Sequence, residues 1–180
     1  FYVRLVGFQQ AVQDGIVFQS IDVDPYGRYF NVTKQNTKGL ELEARYARKG
    51  FSTEFAYTYL DGQMNQMNNG RDSTYSSLIR RPKHQLSLRL NQQVTKKWSA
   101  SVYAQYVGER PDYYYDDATY QTQGVTLAGY VWTELQSTYV LNKQWRVQAL
   151  LKNILNQSPV ELYGYSGQAR NVQISLFGIF

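Results

Sequence analysis

Cysteine is absent, which excludes disulfide frameworks, Cys-ligated zinc and thiol chemistry. No apolar run approaches the roughly 18 residues a helix needs to cross a bilayer, and the mean hydropathy is −0.52. Helical membrane topologies are therefore excluded. Charged residues make up only 18% of the chain, below the roughly 25% of an ordinary soluble domain. The 19 Lys and Arg residues are scattered along the sequence. A net charge of +5 without clustering does not make a nucleic-acid footprint, so no nucleic acid is expected among the partners. An initiator Met and a leader-like segment are also missing at Phe1. The expectation is that something was removed upstream or that the chain is a piece of a longer one.

Tyrosine is what the chain has in excess. There are 17 in 180 residues, and aromatics reach 16%. Amphipathic rings are used in quantity, alongside a hydrophobic period of two that recurs almost everywhere. In "GLELEARY", Leu40, Leu42, Ala44 and Tyr46 alternate with Glu41, Glu43 and Arg45. "FSTEFAYTY" sets Phe51, Phe55, Tyr57 and Tyr59 against Ser52, Glu54 and Thr58. The stretches "HQLSLRLN", "WSASVYAQY", "YVWTELQSTYVL" and "WRVQALLKN" repeat the pattern. Residues two apart in a strand share a face, so each of these segments has one greasy and one wet side.

Connections alternate in length. Tight turns are expected at Lys49-Gly50, Thr95-Lys97 and Asn142-Lys143, with long exposed loops over Gly62–Arg81, Glu109–Leu127 and Asn156–Arg170. Phe1–Ser20 and Tyr29–Arg48 read as a further strand pair. The total is an all-β chain of about eight antiparallel strands in four hairpins. Phe51, Trp98 and Trp145 are equally spaced, each the first aromatic after a short turn. That spacing is near the period of propeller blades, but blades hold four short strands and carry sequence signatures missing here.

Phe51 to Tyr59 and Trp98 to Tyr106 each span about 26 Å at ~3.3 Å per residue, or about 19 Å along the normal at ~45° tilt. Aromatic girdles bounding an apolar band suit a transmembrane β-barrel, since Trp and Tyr are apolar in the body and polar at the tip. The membrane-girdle residues are thus Phe51, Trp98, Trp145, Tyr59 and Tyr106. The competing reading is a soluble β-sandwich with cross-strand aromatic pairs. A bilayer also accounts for the ending "NVQISLFGIF", where Val172, Ile174, Leu176 and Phe180 share one face. Backbone groups in lipid must all pair, so a last strand has to close a barrel.

The ordered series "NVTKQNTKGLELEARY", "FAYTYLDG", "RRPKHQLSLRL", "YVGERPD", "TLAGYVWTELQSTYVLNK", "LLKNILNQ" and "YGYSGQARNVQISLFGIF" resembles the C-terminal part of the β-barrel of TonB-dependent outer-membrane receptors. That class takes up vitamin B12, siderophore-iron and haem. Asn153-Ile154-Leu155-Asn156 stands where the family typically shows N-L-F-D. Gly164-Tyr165 followed by Gly167-Gln168-Ala169-Arg170 stands where it shows G-Y-x-x-P-G-R, with the Pro-Gly absent. The resemblance implies that residues 1–180 are about the last eight strands of a barrel of about 22 strands, whose plug domain and earlier strands lie outside this chain. It implies outer-membrane lipid, the remaining strands and plug, a TonB-type energy-coupling protein and the barrel assembly machinery as partners, in a Gram-negative outer membrane. It makes Val172, Ile174, Leu176 and Phe180 an assembly signal. By length alone, a self-contained eight-stranded barrel acting as an adhesin or structural protein is the alternative.

No catalytic, cofactor or metal residue is assigned. His84, the single histidine, is the place to look for a hydrolase, but it lacks a visible base and orienter pair and begins a strand in "RRPKHQL". Asp112, Asp116 and Asp117 do not match a calcium-loop spacing, and a solvated loop is expected for them. Consecutive aromatics at Tyr113, Tyr114 and Tyr115 need a ligand, lipid or a neighbouring loop to cover them. With Asp116 and Asp117 they form the expected extracellular ligand-contact loop. Glu41, Glu43, Arg45, Glu54, Arg89, Glu134, Arg146 and Lys152 carry both signs on the wet face, as a polar lumen or plug contact would.

Overall fold

In the computed structural model, residues 1–21, 24–68, 71–75 and 78–179 are described. All elements among them are strands: β1 (Tyr2–Ile21), β2 (Asp24–Arg48), β3 (Phe51–Asn68), β4 (Arg71–Tyr75), β5 (His84–Gln93), β6 (Trp98–Val107), β7 (Arg110–Asp116), β8 (Gln121–Leu127), β9 (Tyr130–Val140), β10 (Trp145–Lys152) and β11 (Asn171–Gly178). Eight of them form one antiparallel path in the order β1-β2-β3-β5-β6-β9-β10-β11, with β4 paired to the upper part of β3 and β7 paired only to β8. Every pair on the path is antiparallel.

The short turns are built by their own residues. Lys49 and Gly50 both have positive φ, 44° and 81°, as a two-residue type I′ hairpin demands. Thr95 Oγ1 accepts the backbone N–H groups of Lys97 and Trp98 at 3.2 and 3.1 Å. Asn142 Oδ1 accepts those of Gln144 and Trp145 at 2.9 and 3.0 Å. A side-chain oxygen thus folds each of these two turns.

Register makes the two faces explicit. Leu5, Leu42, Tyr57, Leu86, Tyr106 and Val131 stand in one row across six strands. Thr53, Leu90, Val102, Leu135, Leu151 and Val172 make a second. On the opposite face, Tyr2, Arg45, Glu54, Arg89, Tyr103, Glu134, Lys152 and Asn171 form a row through all eight strands. Five of the eight charged residues read from the wet face lie in this row, with acids placed between bases.

Neither face is covered by another layer. Among the described residues only Leu78, Val107 and Leu127 are buried hydrophobics, whereas Val172, Ile174 and Leu176 are 65%, 74% and 60% exposed. A β-sandwich buries one face of each sheet against the other, so the sandwich reading does not hold. The closed eight-stranded barrel does not hold either. Among the described residues the path has two free edges, β1 and β11.

Two of the three long loops also differ from expectation. Gly62–Arg81 is not all loop, because β3 runs on to Asn68 and pairs with β4 through Met64 opposite Tyr75. Glu109–Leu127 contains the β7–β8 hairpin, registered from Arg110 opposite Leu127 to Asp116 opposite Gln121. Asn, Gln and Tyr fill both faces of these segments, so no apolar alternation marks them as strands.

Candidate functional site: the loop cluster beyond the aromatic rim

The long connections all leave from the same end of the sheet, opposite the tight turns. There, segment 78–83, the β7–β8 hairpin and segment 153–170 come together. The junction is Asp112, fully buried. Its Oδ1 accepts Arg80 Nε at 2.6 Å and its own neighbour's Tyr113 N–H at 2.8 Å, and its Oδ2 accepts the Tyr163 N–H at 2.9 Å. Burial pushes the Asp112 carboxyl up, but the Tyr163 N–H, the Arg80 guanidinium and the Tyr113 N–H outweigh it and hold it below its ordinary value. The expected solvated loop carboxylate is instead the most enclosed charged group of the cluster. A carboxylate leaves water only when its lone pairs are taken up, and three donors do that here.

Around it the loops are stitched further. Arg110, also buried, donates from Nη2 to Val160 O at 2.6 Å and lies over the Tyr130 ring, 5.4 Å from its centre. Tyr130 donates its hydroxyl to Glu161. Arg80 N–H reaches Pro111 O at 2.8 Å. Segment 153–170 is closed on itself by Asn153, whose Nδ2 donates to Gln157 O and Gln168 O at 2.7 and 2.9 Å and whose Oδ1 accepts the Gln157 N–H at 3.0 Å. Asn156 Oδ1 accepts the Arg170 N–H at 3.2 Å. Both Asn residues have positive φ, 52° and 51°, a conformation Asn tolerates better than other residues with a Cβ. Those are the first and last positions of Asn153-Ile154-Leu155-Asn156, so in this chain the motif is a turn and a loop clasp.

The expected ligand-contact residues separate into different environments. Tyr114 stacks on Tyr163, ring centres 4.1 Å apart and 22° between planes. Tyr113 lies across Gly124, where an added Cβ would sit 3.2 Å from the ring. Tyr115 is 59% exposed. Asp116 is spent on its own turn, accepting Ala118 N–H at 3.0 Å and Thr119 Oγ1 at 2.9 Å, which holds its carboxyl below the ordinary value. Asp117 is exposed. Sequence reasoning missed Tyr163, Tyr165 and Arg110. Tyr163 is singled out by its stacking on Tyr114, and Arg110 by its bond to Val160 O and its place over the Tyr130 ring, contacts that are all tertiary. A shallow groove of about 450 Å³ runs between β8 and segment 160–166, lined by Val125, Leu127, Val160, Tyr163 and Tyr165.

Of the girdle residues, Phe51, Trp98 and Trp145 stand at the turn end and Tyr59 and Tyr106 at the loop end of the apolar face. Trp98 donates Nε1 to Ser137 Oγ at 2.9 Å, and the Trp145 ring covers Gly178. His84 sits opposite Tyr59, hydrogen bonded through Nδ1 to the Tyr57 hydroxyl at 2.8 Å and ringed by both tyrosines. That is an aromatic rim contact, with no acid or nucleophile in it. Beyond it, Asp61 takes Lys83 at 3.0 Å and Lys38 at 3.7 Å. On β11, Val172, Ile174 and Leu176 share the apolar face, and Phe180 lies outside the described residues. On the wet face, Arg4 meets Glu43 at 3.6 Å, while Arg89 and Arg146 lie over the Tyr103 and Phe177 rings at 4.8 and 4.7 Å. No group of three or more metal-ligating side chains occurs among the described residues.

The family model described as TonB dependent receptor-like, beta-barrel matches residues 1–154. The fold is similar to the pyoverdine outer membrane receptor FpvA from Pseudomonas aeruginosa PAO1, with TM-score 0.77 and 18% identity over 98% of this chain and 27% of that one. It is similar to the ferric-catecholate import receptor Fiu from K12 E. coli, with TM-score 0.73 and 21% identity over 99% of this chain and 25% of that one. It is also similar to the FrpB iron transporter from Neisseria meningitidis, with TM-score 0.73 and 13% identity over 97% and 28% of the two chains. The chain thus spans about a quarter of the length of these structures. They are transport receptors and not enzymes.

Proposed function

Because the chain belongs to the TonB-dependent receptor β-barrel family, we propose that it supplies eight consecutive wall strands, the C-terminal part, of an outer-membrane importer. The observation that carries this reading is the pair of uncovered faces. One is an apolar sheet face bounded by Phe51, Trp98 and Trp145 at one end and Tyr59 and Tyr106 at the other. The other is a face of alternating charge. Lipid outside and a polar lumen or plug inside is the environment that suits both. Edge strands β1 and β11 then pair with the remaining strands, because open edges do not survive in hydrocarbon. Val172, Ile174, Leu176 and Phe180 present the assembly signal. A plug domain and a TonB-type protein, encoded outside residues 1–180, couple import to energy.

The ligand is an iron chelate of the siderophore class. The neighbours in fold named for pyoverdine, ferric catecholate and iron favour it over cobalamin and haem. The capture surface is the loop cluster, with Tyr114, Tyr115, Tyr163 and Tyr165 as its exposed or stacked rings. Uptake by Gram-negative cells producing the full-length protein tests this, with radioiron supplied as catecholate, hydroxamate and mixed chelates beside haem and cobalamin. Uptake of at least one iron chelate that stops on adding an uncoupler is expected. Uptake of cobalamin or haem alone would overturn the ligand class, and no energised uptake of any of them would overturn the importer reading.

A further inference from the structure

Asp112 and Asp116 lie four residues apart in the β7–β8 hairpin, yet they do different work. Asp116 is satisfied by donors from its own turn, Ala118 and Thr119. Asp112 draws one donor locally, from Tyr113, and its other two from segments far along the chain, Arg80 and Tyr163. The residues just before it reach the same two segments, Arg110 to Val160 O and Pro111 O to the Arg80 N–H. Residues 110–112 are thus a seam along which three separate outer segments are fastened.

Geometry links the seam to the rings. Asp112 and Tyr114 are two apart on β7 and share a face. When Asp112 Oδ2 holds the Tyr163 backbone N–H, the Tyr163 ring is laid over that same face and meets Tyr114 at 4.1 Å. We propose that Asp112 is a positioning residue that fastens segments 78–83 and 160–167 to the hairpin, so that Tyr114 and Tyr163 are presented as one rigid aromatic plate. The proposal rests on the reading of this cluster as the capture surface, but the fastening stands or falls by itself.

Hydrogen exchange on the full-length protein, with and without the iron chelate taken up above, separates the two. Asp112→Ala is expected to raise exchange at least tenfold in segments 78–83 and 160–167 together. Arg80→Ala should free 78–83 alone, and Asp116→Ala only residues 116–121. Wild-type exchange at 160–167 in Asp112→Ala, or equal loosening by Asp116→Ala, would overturn the fastening. Should Asp112→Ala fail to reach the membrane, Asp112→Asn keeps the shape and one acceptor. It is expected to loosen at least one of the two segments, and loosening neither would overturn the proposal. For positioning, the readout is chelate affinity in a double-mutant cycle. Asp112→Ala and Tyr114→Ala should each weaken binding by tenfold or more and together by little more than either alone. Full additivity would show that Asp112 does not act through the aromatic pair. If no chelate is captured while exchange behaves as stated, the capture reading fails and the fastening remains.

Discussion

A few polar side chains decide the outer end of the molecule. Asn153 is fully buried and makes three hydrogen bonds inside segment 153–170. Replacing it with Ala leaves two carbonyls and an N–H without it and should cost about 1–3 kcal/mol of local stability, read as faster exchange across 153–170. Asn153→Gly, which keeps the positive φ at no steric cost, should not rescue it, since the amide and not the dihedral carries the bonds. Asp112 gives a pH dependence. Its carboxyl is held below the ordinary value, so its contribution is complete above the unfolded value near ~3.9 and is lost as pH falls through the lower folded value. The charged group that meets it is Arg80; Arg110, Tyr130 and Glu161 bond to one another and to Val160 next along the seam, and Tyr114 and Tyr163 stack beside it. Loop exchange relative to the intrinsic amide rate at each pH should therefore stay flat in the wild type from neutral pH down to about 4 and rise below it. In Asp112→Asn it should be raised already at neutral pH, and a wild-type profile in that variant would contradict the linkage.

At the scale of the element, the strands divide by what pays for their order. Strands β5, β6 and β10 were legible because every second residue is apolar and faces a common side, as in Leu86, Leu88 and Leu90 or Trp98, Ala100, Val102 and Ala104. The extension of β3 past Gly62, and β4, β7 and β8, were not legible. Residues such as Gln63, Asn65, Gln121 and Gln123 stand beyond the apolar band, where backbone pairing and not side-chain burial holds them. The burial of Asp112 against Tyr163 was missed for a related reason, since a contact between positions 51 residues apart leaves no local pattern. The alternation makes a sharp prediction on one strand. Val102→Lys places a charge in the middle of the apolar face and should cost about 2–4 kcal/mol at the bilayer midplane. Ser101→Lys, one residue away on the charged face, should be tolerated, as followed by heat-modified gel mobility and yield in outer membranes. Equal tolerance of both would contradict the assignment of faces.

For the whole molecule, the eight-strand path with free edges and the coverage of about a quarter of each similar structure agree on one account, a sector of barrel wall. On the proposed reading its apolar face turns to lipid and its charged face inward, with the loop cluster beyond the rim. The absence of cysteine makes the decisive measurement clean within this chain. Single Cys residues placed in turn from Ser99 to Val107 along β6 of the full-length protein in lipid, each carrying a spin label, report on access to membrane-dissolved oxygen and to a water-soluble relaxant. The account predicts a strict alternation, with positions 100, 102, 104 and 106 oxygen-accessible and 99, 101, 103 and 105 shielded from lipid. Uniform access to the aqueous relaxant along β6, or the opposite phase, would contradict it.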